Sequence, residues 1–290
     1  MSFRNLLRKT ACTLWLHYVK LDFLIIGVQK GGTSSLFRFL EKHPQCLGSE
    51  RKELHFFDID ARYSHGKQWY HSQFSGTFRP WKHRFFEATP GYLFRPRTAE
   101  RIYRYNPKIK LIVSLREPVS RAYSAYNMWR QFRNKPAIME RRVFEKNPEL
   151  DRKSAENMRD LLFGKECPSF EMLVESELER ITRNERYIFP SFVAQGIYHE
   201  QFTQYLKFFP KNQILIFENT ELRNSRLETL QGIEAFLGLS PFFCHDTPLE
   251  DRNVRDYEAP ISQEIGERLR EFYYPHNMKL FRLLHRKFEW

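Results

Sequence analysis

Cysteine, glycine and long apolar runs are all scarce in this 290-residue sequence. The four cysteines, Cys12, Cys46, Cys167 and Cys244, are scattered without a CxxC pair, which excludes a cysteine-rich zinc module and a dense disulfide framework. The low glycine count, 12, argues against a glycine-rich repeat protein. No uncharged apolar run reaches about 18 residues, so no membrane-spanning helix is predicted. We expect a globular protein of a reducing compartment, with a cytoplasmic location.

Apolar and basic residues are plentiful. Apolar residues make up 41% of the chain, enough for a packed core. Lys and Arg outnumber Asp and Glu by 47 to 35, and the net charge of +12 predicts an anionic partner. Charge alone leaves nucleic acid, an anionic membrane surface, a nucleotide cofactor and an acidic glycan open. Segment 1–20 is basic and is interpreted as an amphipathic helix that packs on the domain or contacts lipid peripherally, since it lacks the features of a signal peptide.

Short apolar runs alternate with helical patterns over residues 21–290. The runs typical of buried parallel strands are 23–28, 110–115 and 213–217. Helical patterns cover 33–43, 98–105, 119–130, 170–181, 198–208, 225–237, 263–273 and 278–287. Residues 131–166 are rich in charge and are predicted to be a partly helical surface insertion. This alternation predicts one α/β domain with a parallel sheet flanked by helices.

The segment GVQKGGTSS, residues 27–35, joins the first predicted strand to a helix. The backbone N–H groups of Gly31, Gly32 and Thr33 are expected to point at one spot, where the helix N-terminus adds positive potential. Lys30 adds a cation and Ser34 a hydroxyl, so the segment is predicted to bind a phosphate. The lysine precedes the glycine pair, unlike in the nucleotide-hydrolase pattern GxxxxGK[ST]. A plain turn with an exposed lysine is the alternative.

A second anion site is indicated by LREPVSRAYS, residues 115–124. Arg116 follows a predicted strand, and Ser124 lies two turns into the next helix. Ligands of open α/β sheets bind at the carboxyl ends of strands, so the two side chains could hold one phosphate. The alternative is a surface arginine and an ordinary helix serine.

The segment KELHFFD, residues 52–58, contains candidate acid–base groups. Alternation predicts an extended segment with Glu53, His55 and Phe57 on one face and Asp58 on the other. A carboxylate and an imidazole two residues apart can converge on one substrate hydroxyl. Both residue types are also common on exposed strands, which is the alternative.

Together the three motifs resemble those of sulfotransferases that use 3′-phosphoadenosine 5′-phosphosulfate (PAPS), especially heparan sulfate glucosaminyl 3-O-sulfotransferases and related bacterial enzymes. The segments KELHFFD, YSHGKQWYHSQF, EATPGYL and LREFYYPHNMKLFRLL agree with that group in order and spacing. The likeness covers roughly residues 22–290 apart from 131–166. It implies a fold like that of P-loop kinases, with a central parallel sheet of about five strands. It also implies an enzyme that moves a sulfuryl group from PAPS to a hydroxyl or amine of a glycan, glycolipid or related acceptor.

The resemblance also implies residue roles. The loop residues Lys30, Gly31, Gly32, Thr33 and Ser34 would hold the 5′-phosphosulfate, and Arg116 and Ser124 the 3′-phosphate. The residues of a closing basic loop would be Arg252, Asn253, Val254 and Arg255. Glu53 falls on the family's catalytic base, with His55 as its orienting partner. The predicted acceptor contacts are Asp58, Trp69, Tyr92 and Arg95, with Tyr70, Trp81 and Arg97 also near the cleft. For each of the aromatic residues and arginines, an ordinary core or surface position is the alternative.

Several features limit what the resemblance implies. Ala88 stands where vertebrate members carry a lysine that meets an acidic sugar, so we expect heparan sulfate to be a poor acceptor. Members of that group have a pair of cysteines near the C-terminus, whereas Cys244 stands alone in this sequence. No metal is expected, because a sulfuryl group carries less charge than a phosphoryl group, and no metal site is predicted.

The alternative functions are a small-molecule kinase with a similar loop and a basic domain that binds glycan or nucleic acid without catalysis. Nucleic acid is the less favoured partner, because the basic residues are spread along the chain.

Overall fold

The computed structural model describes residues 20–74, 82–133, 135–145, 151–185, 187–249 and 260–290. Residues 1–19 of the predicted helix over 1–20 lie outside these residues, and so does the basic loop of Arg252, Asn253, Val254 and Arg255. The described chain forms two compact units. The first contains residues up to 115 together with 205–249, and the second contains 116–204 together with 260–290.

The strands are β1 (Phe23–Gly27), β2 (Cys46–Gly48), β3 (Arg84–Ala88), β4 (Lys110–Leu115) and β5 (Ile214–Glu218). The helices are α1 (Thr33–Lys42), α2 (Asp60–Tyr63), α3 (Gly66–His71), α4 (Thr98–Tyr105), α5 (Pro118–Phe132), α6 (Pro136–Met139), α7 (Arg152–Phe163), α8 (Phe170–Thr182), α9 (Tyr198–Tyr205), α10 (Asn219–Asn224), α11 (Arg226–Leu237) and α12 (Gln263–Leu284). Each helix within the described residues is too short or too polar to cross a bilayer.

The first unit is built on a five-stranded sheet in the order β2-β3-β1-β4-β5, with every pair of neighbours parallel. All five residues of β1 are buried, which explains its uninterrupted apolar sequence. Phe23 stacks on Phe86 of β3 with ring centroids 4.7 Å apart. Leu36 and Leu40 of α1 and Ile233 of α11 pack in the same core. The α/β class and the parallel sheet flanked by helices are therefore confirmed.

The predicted strands agree with β1, β4 and β5 to within one residue at either end. The pattern of the sequence did not predict β2, which has three residues, or β3. It also missed α10, which separates β5 from α11. Phe56, Phe57, Phe85 and Phe86 are all buried.

The second unit is helical in its described residues. Its helix α5 begins at Pro118, and the side chain of Glu117 accepts hydrogen bonds from the N–H groups of Val119 and Ser120. The helical content expected within 131–166 is present as α6 and α7, joined in part by a π-helical turn, Glu140–Glu145. Met158 and Leu161 of α7 are fully buried, so this stretch also contributes to the core.

Helix α12 is one continuous helix, so the prediction of two helices over 263–273 and 278–287 was wrong. Pro275 lies inside it and removes one backbone donor. Ile265, Leu269, Tyr273 and Leu280 recur at helical spacing on either side of the proline, and all four are buried. Burial of this face offsets the loss of one hydrogen bond.

Candidate functional site

The glycine loop after β1 packs tightly against the end of β4. The N–H of Val28 donates to the Ser114 carbonyl (3.0 Å), and the Ser114 hydroxyl donates to the Gly31 carbonyl (2.6 Å). A Cβ at Gly31 would lie 2.2 Å from the Ser114 carbonyl oxygen, so only glycine fits at this position. Lys30 (φ 72°) and Gly32 (φ 84°) are both left-handed, which turns the chain sharply into α1.

The start of α1 differs from the prediction in the backbone donors that it leaves for an anion. The N-cap is Gly32, and no side chain caps the helix. The N–H of Gly31 donates to the Val28 carbonyl (2.9 Å), so this group is already used within the loop. The donors left for an anion are those of Gly32 and of the first turn of α1, because first-turn N–H groups have no acceptor within a helix.

The segment from Glu53 to Asp58 is a turn, so the predicted extended conformation was wrong. Glu53 (φ 66°) and His55 (φ 53°) are both left-handed, and 56–58 form a tight turn. Alternation does not hold in such a backbone, and Phe57 is fully buried while 46% of the Glu53 side chain is exposed. The turn also brings Asp58 next to His55, although strand alternation had predicted that the two side chains lie on opposite faces.

His55 and Asp58 form a close pair. Asp58 Oδ2 lies 2.9 Å and Oδ1 3.2 Å from His55 Nδ1, and only 3% of the Asp58 side chain is exposed. Burial alone would lower the pKa of His55, but the charge and hydrogen bond of Asp58 outweigh it and raise that pKa. Burial would raise the pKa of Asp58, yet the positive charge of His55 lowers it. The pair is therefore an ion pair when His55 is protonated.

Glu53 is the accessible carboxylate of this segment. Its Oε1 accepts a hydrogen bond from Lys52 Nζ at 2.7 Å. Burial acts to raise the pKa of Glu53, but the positive charges of Lys52 and His55 outweigh it and the pKa is lowered. Glu53 is thus ionised at neutral pH and able to accept a proton.

A buried carboxylate that sequence reasoning missed supports this turn. Glu87 of β3 is fully buried and accepts hydrogen bonds from the hydroxyls of Tyr70 (2.8 Å), Thr89 (3.0 Å) and Tyr92 (2.5 Å). The Tyr92 hydroxyl in turn accepts from the N–H of Phe56 (2.9 Å). Burial raises the pKa of Glu87, against these hydrogen bonds. The sequence signal was the acid at the end of β3 followed closely by the hydroxyl side chains of Thr89 and Tyr92, whereas Tyr70 comes from α3.

This network corrects one predicted acceptor contact. Tyr92 and Tyr70 have no exposed surface, so they form part of the core and cannot touch an acceptor in this structure. Trp69 is half-buried, with its ring 6.1 Å from that of Phe56. Arg95 is half-buried, and its charge helps to lower the pKa of Asp58.

Arg97 and Trp81 are the other two residues predicted near the cleft. Arg97 is exposed, whereas Trp81 lies outside the described residues.

The glycine loop and the Glu53 turn are connected through β1 and β3. The N–H of Glu53 donates to the Ala88 carbonyl at the end of β3 (3.0 Å). The N–H groups of Thr89 and Leu93 donate to the carbonyls of Ile25 (3.1 Å) and Ile26 (2.9 Å) in β1. Both segments therefore lie at the carboxyl edge of the parallel sheet, where ligands of open α/β sheets bind.

In the second unit, Arg116 and Ser124 occupy the predicted positions. Arg116 comes directly after β4, and its carbonyl accepts a hydrogen bond from the Tyr198 hydroxyl (2.8 Å). Ser124 lies two turns into α5 and is buried. Arg121, also on α5, is fully buried and donates to the Phe192 carbonyl, which gives it a structural role.

Asp58→Asn is expected to lower stability most at mildly acidic pH. Because its pKa is raised in the folded state, His55 stabilises the fold fully below its ordinary pKa of 6.5. That stabilisation is lost as pH rises through the pKa of His55 in the folded protein. Because its pKa is lowered in the folded state, Asp58 stabilises the fold fully above its ordinary pKa of 3.8. That stabilisation is lost as pH falls through the pKa of Asp58 in the folded protein. The free energy of unfolding of the wild type should therefore exceed that of the variant by about 1.5–3 kcal/mol between these two pH values. The difference should be smaller at alkaline pH.

Urea unfolding of both proteins at about pH 5 and about pH 9 measures this difference. A difference in unfolding free energy that is the same at both pH values would contradict an ion pair between Asp58 and His55.

Comparisons with known proteins agree with this geometry. The family model described as "Sulfotransferase domain" matches residues 20–256. The chain is 27% identical over 318 residues to membrane-associated sulfotransferase kil1 of Dictyostelium discoideum, covering 93% of this chain and 66% of that protein. It is 27% identical over 286 residues to human heparan sulfate glucosamine 3-O-sulfotransferase 5 (Homo sapiens), covering 92% of this chain and 73% of that protein. The chain thus spans about two thirds to three quarters of the length of these relatives.

A solved structure is similar over almost all of both chains. The sulfotransferase from Alicyclobacillus acidocaldarius has a TM-score of 0.66 and 27% identity, and the match covers 93% of this chain and 98% of that one. The family model spans most of the sequence and contains both the glycine loop and the Glu53 turn. The prediction from the three motifs is confirmed, and the chain belongs to the sulfotransferase domain family.

Proposed function

We propose that this protein transfers the sulfuryl group of PAPS to a hydroxyl group of a glycan. The observation that supports this most is the pairing of a left-handed glycine loop with an ionised, accessible carboxylate at the same edge of the sheet. The kinase alternative is less favoured, because the lysine of the loop precedes its glycine pair. A non-catalytic domain would have no need for the charged turn beside it.

The glycine loop is proposed to bind the 5′-phosphosulfate of the donor. Gly32, Thr33 and Ser34 would provide hydrogen-bond donors, and Lys30 would provide the positive charge. When bound, PAPS supplies an activated sulfuryl group and a nucleotide leaving group. Lys30 would stabilise the negative charge that develops on the departing phosphate oxygen as the bond to sulfur breaks. This electrostatic assistance requires no metal ion, and metal independence is part of the proposal.

Glu53 is proposed as the general base that accepts the proton of the attacking hydroxyl. It is ionised and accessible, whereas Asp58 is buried against His55. His55 would orient Glu53 or the acceptor hydroxyl, and Asp58 would fix the imidazole in turn. Asp58 is thus proposed as a positioning residue and not as an acceptor contact.

The acceptor is proposed to be a glycan, since one relative is named a heparan sulfate glucosamine 3-O-sulfotransferase. Ala88 is fully buried at the end of β3 and offers no cation for an acidic sugar. Trp69 and Arg95 keep partial exposure beside the Glu53 turn and are suited to a sugar ring and a polar substituent. A neutral glycan or glycolipid is therefore favoured over heparan sulfate.

We also propose a cytoplasmic location with peripheral membrane contact. One relative is named membrane-associated.

Arg116 and Ser124 of the second unit are proposed to bind the 3′-phosphate of the nucleotide. Calorimetry should then show that 3′-phosphoadenosine 5′-phosphate (PAP) binds about 10–150-fold more tightly than adenosine 5′-phosphate, because one charge-assisted contact contributes about 1.5–3 kcal/mol. Arg116→Ala should remove most of this preference. The matched control is Arg152→Ala, a substitution at an arginine that is 92% exposed and should leave it unchanged. Equal affinities for the two nucleotides in the wild type would contradict the assignment.

A further inference from the structure

Three side chains that the proposed reaction does not use come together in the second unit. His199 and Glu200 lie in the first turn of α9, and His276 lies in α12. One donor atom from each, an imidazole nitrogen or a carboxylate oxygen, lies within 4.8 Å of the other two. The cluster therefore joins two helices that are far apart in the sequence.

The donor set suits a divalent transition metal. Two imidazoles and one carboxylate are common ligands of Zn²⁺, which takes three protein ligands and a water molecule in open sites. A tetrahedral zinc site separates its donors by about 3.4 Å, so these side chains would need to close by no more than about 1.4 Å. All three residues are partly buried, which shields the donors from bulk water.

The surroundings of the cluster hold both helices in place. Tyr273, one turn before His276, donates its hydroxyl hydrogen bond to the Val193 carbonyl (2.7 Å). A Cβ at Gly196 would lie 2.6 Å from that hydroxyl oxygen, so the chain just before α9 packs directly on α12. The rings of His199 and His276 have centroids 5.1 Å apart. Rigid neighbours of this kind reduce the cost of bringing metal ligands together.

We propose that His199, Glu200 and His276 form a binding site for a divalent transition metal ion, with Zn²⁺ as the expected ion. The bound ion would cross-link α9 to α12 and stabilise the second unit. Tyr198, adjacent to the cluster, donates to the Arg116 carbonyl, so the ion would also hold fixed the segment that begins with Arg116. The site supplies no group to the transfer reaction, so this inference is independent of the proposed function.

Calorimetric titration of untagged, chelator-treated protein with ZnCl₂ tests the inference. The expected result is one ion per chain and a thermal unfolding midpoint that rises with zinc concentration. His199→Gln and His276→Gln should each weaken zinc binding at least about 10-fold, and the exposed-site control His65→Gln should not change it. Co²⁺ should give the visible absorption of a tetrahedral site in the wild type and the control only.

Zinc binding that is absent from the wild type, or equal in the wild type and both histidine variants, would overturn the inference. Far-UV circular dichroism without metal checks that each variant is folded. If either histidine variant fails to fold, Glu200→Gln takes its place, because it removes the ligand charge with little change of shape. Unchanged zinc affinity in Glu200→Gln would then overturn the inference.

Discussion

Glu53→Gln is expected to lower kcat roughly 10²–10⁴-fold, the usual contribution of a general base. Glutamine keeps the size of the side chain but cannot accept a proton at neutral pH. Glu53 is the accessible carboxylate of the turn, and its lowered pKa keeps it ionised. Because it is proposed to face the acceptor hydroxyl, the Kd for PAP should barely change. Steady-state transfer rates and calorimetry on the same preparations measure both quantities.

Glu100→Gln is the matched control, because Glu100 forms a surface ion pair with Arg104 in α4 and has no proposed role in transfer. It should leave kcat and the Kd for PAP unchanged. A Glu53→Gln variant with near-normal kcat would show that the base lies elsewhere, with His55 the next candidate.

Lys30→Ala is expected to impair both transfer and nucleotide binding. Loss of one preorganised donor to a developing negative charge lowers kcat by about 10²–10³-fold. Loss of one charge-assisted contact to the phosphate should weaken PAP binding by about 10–150-fold. The joint effect distinguishes Lys30 from Glu53, whose substitution should change kcat alone.

Lys108→Ala provides the control for Lys30, since Lys108 is exposed in the turn before β4. Circular dichroism shows whether either variant perturbs the fold. If Lys30→Ala binds PAP as tightly as the control does, the glycine loop is not the phosphate site.

The fold was predictable where local sequence determines it. The short apolar runs of β1 and β4 predicted buried strands, and the glycine pair after β1 marked the sharp turn into α1. β2 and β3 were missed because β2 is only three residues long and neither has a long apolar run. The continuity of α12 through Pro275 depends on tertiary burial, which outweighs a local helix-breaking signal.

The candidate site was predictable in its residues but not in its geometry. Glu53 and His55 were identified from residue type, yet their left-handed backbone accompanies hydrogen bonds that the N–H groups of Glu53 and Phe56 donate to β3 and to the Tyr92 hydroxyl. The role of Glu87 depends on burial, which periodicity does not reveal. The pair of His199 and His276 shows the same limit, because the helices bring together two positions that are far apart in the sequence.

Transfer of labelled sulfate from PAPS to glycans tests the central claim most directly. Purified protein is incubated with sulfur-labelled PAPS and, in parallel, with a neutral glycan, a glycolipid and heparan sulfate, in the presence of a chelator. We expect label in a glycan product, with release of one PAP per sulfate transferred. Transfer to the neutral acceptors should be faster than transfer to heparan sulfate, and Glu53→Gln should abolish transfer. Tight binding of PAP without transfer to any glycan, or transfer that Glu53→Gln leaves unchanged, would contradict it.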